Sequence, residues 1–198
     1  MHLVPYALIG YLLGSIPFAV IVSRIFGLAD PRTFGSGNPG ATNVLRAGNR
    51  VAAALTLLGD TLKGWAAMEI ARHLDAGSTA VAIAGISAFI GHLYPLFLRF
   101  RGGKGVATAL GVLIGFDPLV AIACAALWLL MARLFRYSSL AAIAAAVVAP
   151  FVAESQQLPY DATSIITAMS LLLVWRHREN IRRLRTGTES RLGQKKSS

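Results

Sequence analysis

Seven apolar segments, near residues 3–23, 51–71, 79–98, 105–116, 118–132, 139–153 and 162–175, leave this chain few ways to fold. A helix needs roughly 20 mostly apolar residues to cross the hydrocarbon core of a bilayer. The first three segments reach that length and the last four are short. Residues 105–132 could form one long span, but Phe116-Asp117-Pro118 interrupts them. Proline cannot continue a helical ladder, and an aspartate in mid-membrane is costly. A tight turn between two spans is expected there. Only 14% of the residues are charged, against about 25% in a soluble domain, so an integral membrane protein is the leading class. The opening stretch MHLVPYALIGYLLGSIPFAVIVSR has no Lys or Arg ahead of its apolar run and no evident cleavage site. It reads as a retained first span rather than a signal peptide.

The charges test the span count. The formal net charge is +10, which could mark a nucleic-acid surface, but most basic residues lie in short connections and at the C-terminus. With seven spans, residues 24–50, 99–104, 133–138 and 176–198 fall on one side and carry 17 of the 19 Lys and Arg. The other side, 1–2, 72–78, 117 and 154–161, has Arg72 beside Asp75, Asp117, Glu154 and Asp161. Cytoplasmic connections carry the basic excess. The expectation is an all-α, seven-helix membrane bundle with some short spans, forming one domain over 1–198, with the N-terminus outside and the C-terminus cytoplasmic. Five- and six-span arrangements fit the charges less well unless short segments re-enter. Residues 176–193, with Ile181, Leu184 and Leu192 among arginines, read as an interface-bound end, and QKKSS (194–198) as a mobile terminus. The single cysteine, Cys124, excludes an intrachain disulfide and a cysteine metal cluster, and reads as packing.

On this topology every unusual polar stretch is cytoplasmic: GSGNPGATNVLR (35–46), GHLYPLFLRFRGGKGVAT (91–108), RYSS (136–139) and WRHRENIRRLRTGTE (175–189). Glycines let backbone N–H groups approach an anion closely, and successive N–H groups form a phosphate-binding nest. Ser36, Asn38, Thr42 and Asn43 can add side-chain donors. Gly35 and Gly40 are spaced as in a P-loop, but Ala41 stands where that motif needs Lys, so the nucleotide reading fails. Alone, the stretch is open to a cradle or a plain loop. RGGKG places Lys104 at the start of a helix, where the helix end and the ammonium both favour phosphate; an ordinary cytoplasmic lysine is the alternative. Arg99 and Arg101 read as topology charges. His177 and Asn180, at i and i+3, share one helical face that could meet a polar substrate. Asp60 and Lys63 share the same spacing inside the second span, as a structural ion pair or a site wall. His92 reads as structural.

The acyltransferase pattern H-x4-D is absent, because Ala7, Ser78, Phe97 and Arg182 lie five residues after the four histidines. There is no G-x-S-x-G elbow, no H-E-x-x-H and no acid-rich motif for a divalent metal. What remains is a membrane-facing site rich in phosphate donors and poor in general bases. An anion transporter would also need polar loops, but such sites usually lie near the midplane between repeated halves, and no repeat is visible. A membrane anchor leaves the glycine-rich motifs unexplained.

Together, in this order and spacing, the four motifs resemble the bacterial acyl-phosphate:glycerol-3-phosphate acyltransferases, the PlsY family, over nearly the whole chain. The resemblance implies a multi-pass enzyme of the bacterial inner membrane with its active site on the cytoplasmic side. It implies acyl transfer from acyl phosphate to the 1-hydroxyl of glycerol 3-phosphate, giving lysophosphatidic acid and phosphate in the first acylation of phospholipid synthesis. It implies no metal or cofactor, no nucleic acid and no obligate protein partner. Carried over, Ser36, Gly37, Asn38, Thr42 and Asn43 would hold the donor's phosphoryl group, with Gly35 and Gly103 also at the substrates. Arg46 and Lys104 would bind phosphate charge, Lys104 that of glycerol 3-phosphate. Ser139, His177 and Asn180 would orient the glycerol. Ser36, Lys104, His177 and Asn180 form the expected catalytic set. The donor's own phosphate is expected to take the hydroxyl proton, with His177 as the rival base.

Overall fold

The computed structural model describes residues 3–193, and the expected mobile terminus 194–198 lies outside them. The described residues form an all-α membrane protein of ten α-helices. The chain divides into two compact units, Met1–Phe116 and Asp117–Ser198. The first holds α1 (Val4–Gly14), α2 (Phe18–Ile25), α3 (Ala41–Arg46), α4 (Arg50–His73), α5 (Ser78–Leu93), a 3₁₀ turn at Leu96–Leu98, and α6 (Val106–Phe116). The second holds α7 (Pro118–Phe135), α8 (Ser138–Ser155), α9 (Tyr160–Arg176) and α10 (Arg178–Arg185).

Each of the seven apolar segments is helical. Among the described residues, four stretches are long and apolar enough to cross a membrane: Val4–Ile25, Ser78–Leu98, Pro118–Phe135 and Ser138–Ser155. With 24 residues α4 has the length but a more polar composition. The 11 residues of α6 rise about 16 Å, roughly half of the hydrocarbon thickness. The expected turn at Phe116-Asp117-Pro118 is present. Pro118 opens α7, and Asp117 Oδ1 caps it by accepting from the Leu119 and Val120 N–H groups at 2.7 and 3.1 Å.

The first apolar segment is a candidate span, as expected, but it is made of two helices rather than one. It breaks between Gly14 and Phe18 because Pro17 has no N–H to donate and pushes Ile16 out of the helical region. A backbone carbonyl freed inside a bilayer must find a partner within the protein. At the break the Ile16 carbonyl accepts from the Phe18 N–H at 3.1 Å and from Lys63 Nζ at 2.9 Å.

That lysine belongs to a helix built inside out. Leu55, Leu58 and Leu62 form an exposed stripe on α4. The opposite face buries Gly59, Asp60, Lys63, Gly64, Ala67 and Met68. Against lipid the driving force for helix association is close packing, so small residues line the contacts. A Cβ at Gly14 of α1 would strike the Ala88 carbonyl of α5, and one at Gly111 of α6 would strike the Thr61 carbonyl of α4. The end of α5 is also clasped to α1. Tyr11 Oη donates to the Tyr94 carbonyl at 2.8 Å, and the Leu96 N–H donates to Ser15 Oγ at 3.3 Å. These contacts fix where the 99–105 connection begins.

In the second unit α8 packs between α7 and α9, and α10 contacts α8 and α9. The segment after α10 is not laid out as a simple surface helix. It folds back on the turn between α7 and α8: the Leu192 N–H donates to the Arg136 carbonyl at 2.6 Å, and Arg136 Nη2 returns a bond to the Leu192 carbonyl at 3.0 Å. Arg191 Nε donates to Tyr137 Oη at 3.1 Å.

Candidate active site

The 34–46 stretch is a shaped loop between α2 and α3. Val44 of α3 is fully buried with Ala19, Val22, Ala52 and Ala53, which anchors the loop on α2 and α4. Its neighbour Asn43, only 1% exposed, organises the loop from within. Asn43 Nδ2 donates to the Pro31 carbonyl at 2.6 Å and the Phe34 carbonyl at 3.1 Å, while Oδ1 accepts from the Ser36 N–H at 3.1 Å. Both amide hydrogens of Asn43 are thus committed to the loop, which leaves it no donor for an anion. Gly35 is required here on two counts: its φ is +60°, and a Cβ would collide with Asn43 Oδ1.

The backbone nest expected from the glycines is closed on itself at its centre. The Gly37 N–H donates to the Phe34 carbonyl at 2.9 Å, and that of Gly40 to the Asn38 carbonyl at 3.0 Å. With the Ser36 N–H held by Asn43, Ser36 and Gly37 offer no amide to a phosphate. What the loop presents outward is side chain: Ser36 and Arg46 are exposed, and Asn38 and Thr42 are half-buried.

The second motif lies in the same unit. Arg32, Phe97, Leu98, Arg99 and Arg101 line a cavity of about 400 Å³, so the α2–α3 loop and the α5–α6 connection meet at its rim. Beyond the rim the chain passes through Gly102, Gly103 and half-buried Lys104 to Gly105, whose φ is +83°, and enters α6. The Gly103 N–H is also taken, donating to the His92 carbonyl at 3.1 Å. A Cβ at Gly103 would strike His92 Nε2, so this glycine serves clearance. Beneath it, Lys63 Nζ pairs with Asp60 Oδ1 at 2.7 Å, both side chains 3% exposed, and His92 Nδ1 lies 3.4 Å from the same oxygen. The structural ion pair expected of Asp60 and Lys63 is present, and His92 joins it.

In the second unit, the structure gathers Ser139 and Asn180 on a residue the sequence reading had not singled out. Glu189 Oε1 accepts from Ser139 Oγ and from Asn180 Nδ2, each at 2.7 Å, and Oε2 accepts from Arg183 Nε at 2.7 Å. Burial alone would push this carboxyl's pKa up. The hydrogen bonds from Ser139, Asn180 and Arg183, with the guanidinium charge, outweigh burial and hold it below the usual carboxylate range. His177, 2% exposed, sits where α9 passes into α10. Its Nδ1 lies 2.8 Å from the Leu173 carbonyl, which can only accept, so the proton resides on Nδ1 and Nε2 is the ring's other functional edge. The signal for Glu189 was present in the motif that ends on it, an acid closing a run of arginines. Its partner Ser139 is 50 residues away, which spacing does not reveal.

Replacing Glu189 by Gln keeps an acceptor for Ser139 but loses the charge opposite Arg183. Charged hydrogen bonds contribute about 1.5–3 kcal/mol, and Glu189→Gln is expected to lower stability by that order at pH 7, measured by thermal unfolding in detergent. A carboxylate whose folded pKa is depressed contributes fully above its unfolded value, about 4.3, and loses the contribution as pH falls through the folded one. The gap to the wild type is therefore expected to begin narrowing below about pH 4.3 and to vanish only below the depressed folded pKa. Equal stability of the two proteins at pH 7 would contradict the clamp.

The family model described as glycerol-3-phosphate acyltransferase matches residues 4–187. A glycerol-3-phosphate acyltransferase of Dechloromonas aromatica (strain RCB) is 53% identical over 188 residues, covering 95% of each chain. Among solved structures, PlsY, an integral membrane glycerol 3-phosphate acyltransferase, superposes in its glycerol 3-phosphate form with a TM-score of 0.91 at 39% identity, covering 98% of this chain and 96% of that one. Its lysophosphatidic acid form gives 0.90 at 38%, with the same coverage. The chain therefore belongs to the glycerol-3-phosphate acyltransferase family.

Proposed function

We propose that this protein transfers a fatty acyl group from acyl phosphate to the 1-hydroxyl of glycerol 3-phosphate, releasing lysophosphatidic acid and phosphate. The observation that carries this is the family match across residues 4–187, which takes in all of the first three polar motifs and nearly all of the fourth. The hydroxyl oxygen attacks the acyl carbon, the bond from that carbon to the phosphate oxygen breaks, and the electron pair leaves with phosphate. Acyl phosphate is a mixed anhydride with a good leaving group. The protein's task is to hold two anionic substrates in attacking geometry and to stabilise developing charge.

In this reading the side chains of Ser36, Asn38, Thr42 and Arg46 meet the donor's phosphoryl group, while Gly35, Gly37 and Asn43 shape the loop that carries them. Lys104 binds the phosphate of glycerol 3-phosphate, and Gly103 gives its segment room. Ser139, His177 and Asn180 orient the glycerol, with Ser139 and Asn180 turned by Glu189. The proton of the attacking hydroxyl passes to an oxygen of the donor's phosphate. Both units serve one acyltransferase, in the bacterial inner membrane with seven membrane segments, short ones included. The N-terminus lies outside and the active site on the cytoplasmic side, as the distribution of Lys and Arg supports.

Purified protein given acyl phosphate and glycerol 3-phosphate is expected to form lysophosphatidic acid and phosphate in equal amounts, and neither product when glycerol 3-phosphate is omitted. Uptake of labelled glycerol 3-phosphate into proteoliposomes without acyl donor, and no product with it, would favour the transporter reading instead. The orientation is tested by single cysteines in a Cys124→Ser background. Gly77→Cys should react with an impermeant maleimide from outside intact cells and Thr188→Cys only after permeabilisation; the reverse pattern would invert the topology.

A further inference from the structure

The buried ionic cluster of the first unit performs no step of the proposed reaction. Charged residues within membrane helices are costly, pair with one another and tend to mark function. Asp60 and Lys63 neutralise each other at 2.7 Å, and Lys63 also satisfies the Ile16 carbonyl at 2.9 Å. Those two contacts would suffice for the helix break alone, yet a histidine is added. His92 Nδ1 lies 3.4 Å from Asp60 Oδ1 and 3.1 Å from Thr108 Oγ1. The carboxylate and the hydroxyl flank Nδ1 from two helices and fix the ring's orientation.

The ring's other edge faces the segment that bears Lys104. Nε2 occupies the space a Gly103 side chain would need, and the His92 carbonyl both accepts the Gly103 N–H at 3.1 Å and fills the side-chain space of Gly102. Thr108 lies on the first turn of α6, the helix that Lys104 precedes. One imidazole therefore touches the segment before Lys104 and the helix after it, and is braced from α4. We infer that His92, held by Asp60 and Thr108, is a positioning residue that sets the placement of Lys104. This rests on the proposed assignment of Lys104 to glycerol 3-phosphate.

The test uses full-length protein in detergent, with steady-state kinetics in which each substrate is varied in turn. His92→Asn keeps a polar group near the Nδ1 position and removes the edge that faces Gly103. Misplacing a binding group by about 1 Å costs up to roughly 10²-fold. The expected result is a rise of about tenfold or more in KM for glycerol 3-phosphate, with KM for acyl phosphate within about twofold of wild type. A coupled variant separates positioning from bulk stability. Gly103→Ala alone collides with the ring, and Gly103→Ala in the His92→Asn background should recover part of the glycerol 3-phosphate affinity that Gly103→Ala loses. Should His92→Asn fail to fold, Thr108→Val, which removes only the hydroxyl at Nδ1, is expected to give the same split in smaller measure. Equal changes in both KM values, or a lowered Tm with unchanged kinetics, would overturn the inference. Lys104→Ala provides the reference. If it raises KM for glycerol 3-phosphate while the His92 and Thr108 variants do not, positioning by His92 is wrong and the Lys104 assignment stands. If Lys104→Ala leaves that KM unchanged, the assignment fails and the inference with it.

Discussion

Lys63 lies buried on α4 and donates to the Ile16 carbonyl, at the break that Pro17 makes in the first apolar segment. In water such a carbonyl would find solvent; in a bilayer it must find protein. Pro17 breaks the first apolar segment, the Ile16 carbonyl turns inward, Lys63 answers it and Asp60 neutralises Lys63. The face of α4 that carries these charges must then be enclosed, and small residues permit the enclosure: Gly14 lets α1 meet α5, and Gly111 lets α6 meet α4. The α5–α6 connection emerges from this enclosed region, so the placement of Lys104 inherits its rigidity from the pairing beneath.

A similar economy governs the polar loops. In each unit one buried side chain takes several partners and holds a loop in shape: Asn43 ties Pro31, Phe34 and Ser36, and Glu189 ties Ser139, Asn180 and Arg183. The glycines supply clearance and left-handed backbone, while the exposed hydroxyls and cations face outward. This suits acyl transfer from an activated donor, where holding two anions near each other matters more than generating a strong nucleophile.

Much of this was legible in the sequence because hydropathy and proline act locally. The seven apolar segments are helices, and the turn at Asp117-Pro118 follows from a missing N–H and a capping carboxylate. The Asp60–Lys63 pair follows from spacing on one helical face. The break at Pro17 was equally local, but continuous hydropathy across residues 3–23 concealed it. The closure of the glycine loop was not legible. Glycine content shows that a backbone can form a nest, not whether its N–H groups are already bonded, and Asn43 decides that. Nor was the gathering of Ser139 and Asn180 on Glu189, since tertiary folding chooses that partner and leaves no periodic trace. His92 read as merely structural because its two partners come from different helices.

The central claim is that this acyltransferase works by positioning its substrates, with the donor's phosphate rather than a side chain taking the proton. His177 is the rival base, and its Nδ1 proton, held toward the Leu173 carbonyl, leaves Nε2 for either role. The most direct measurement is kcat and KM of His177→Gln with acyl phosphate and glycerol 3-phosphate. Loss of a general base costs about 10²–10⁴-fold in rate. The account predicts kcat close to wild type with a raised KM for glycerol 3-phosphate; a fall in kcat of that general-base size with KM unchanged would contradict it.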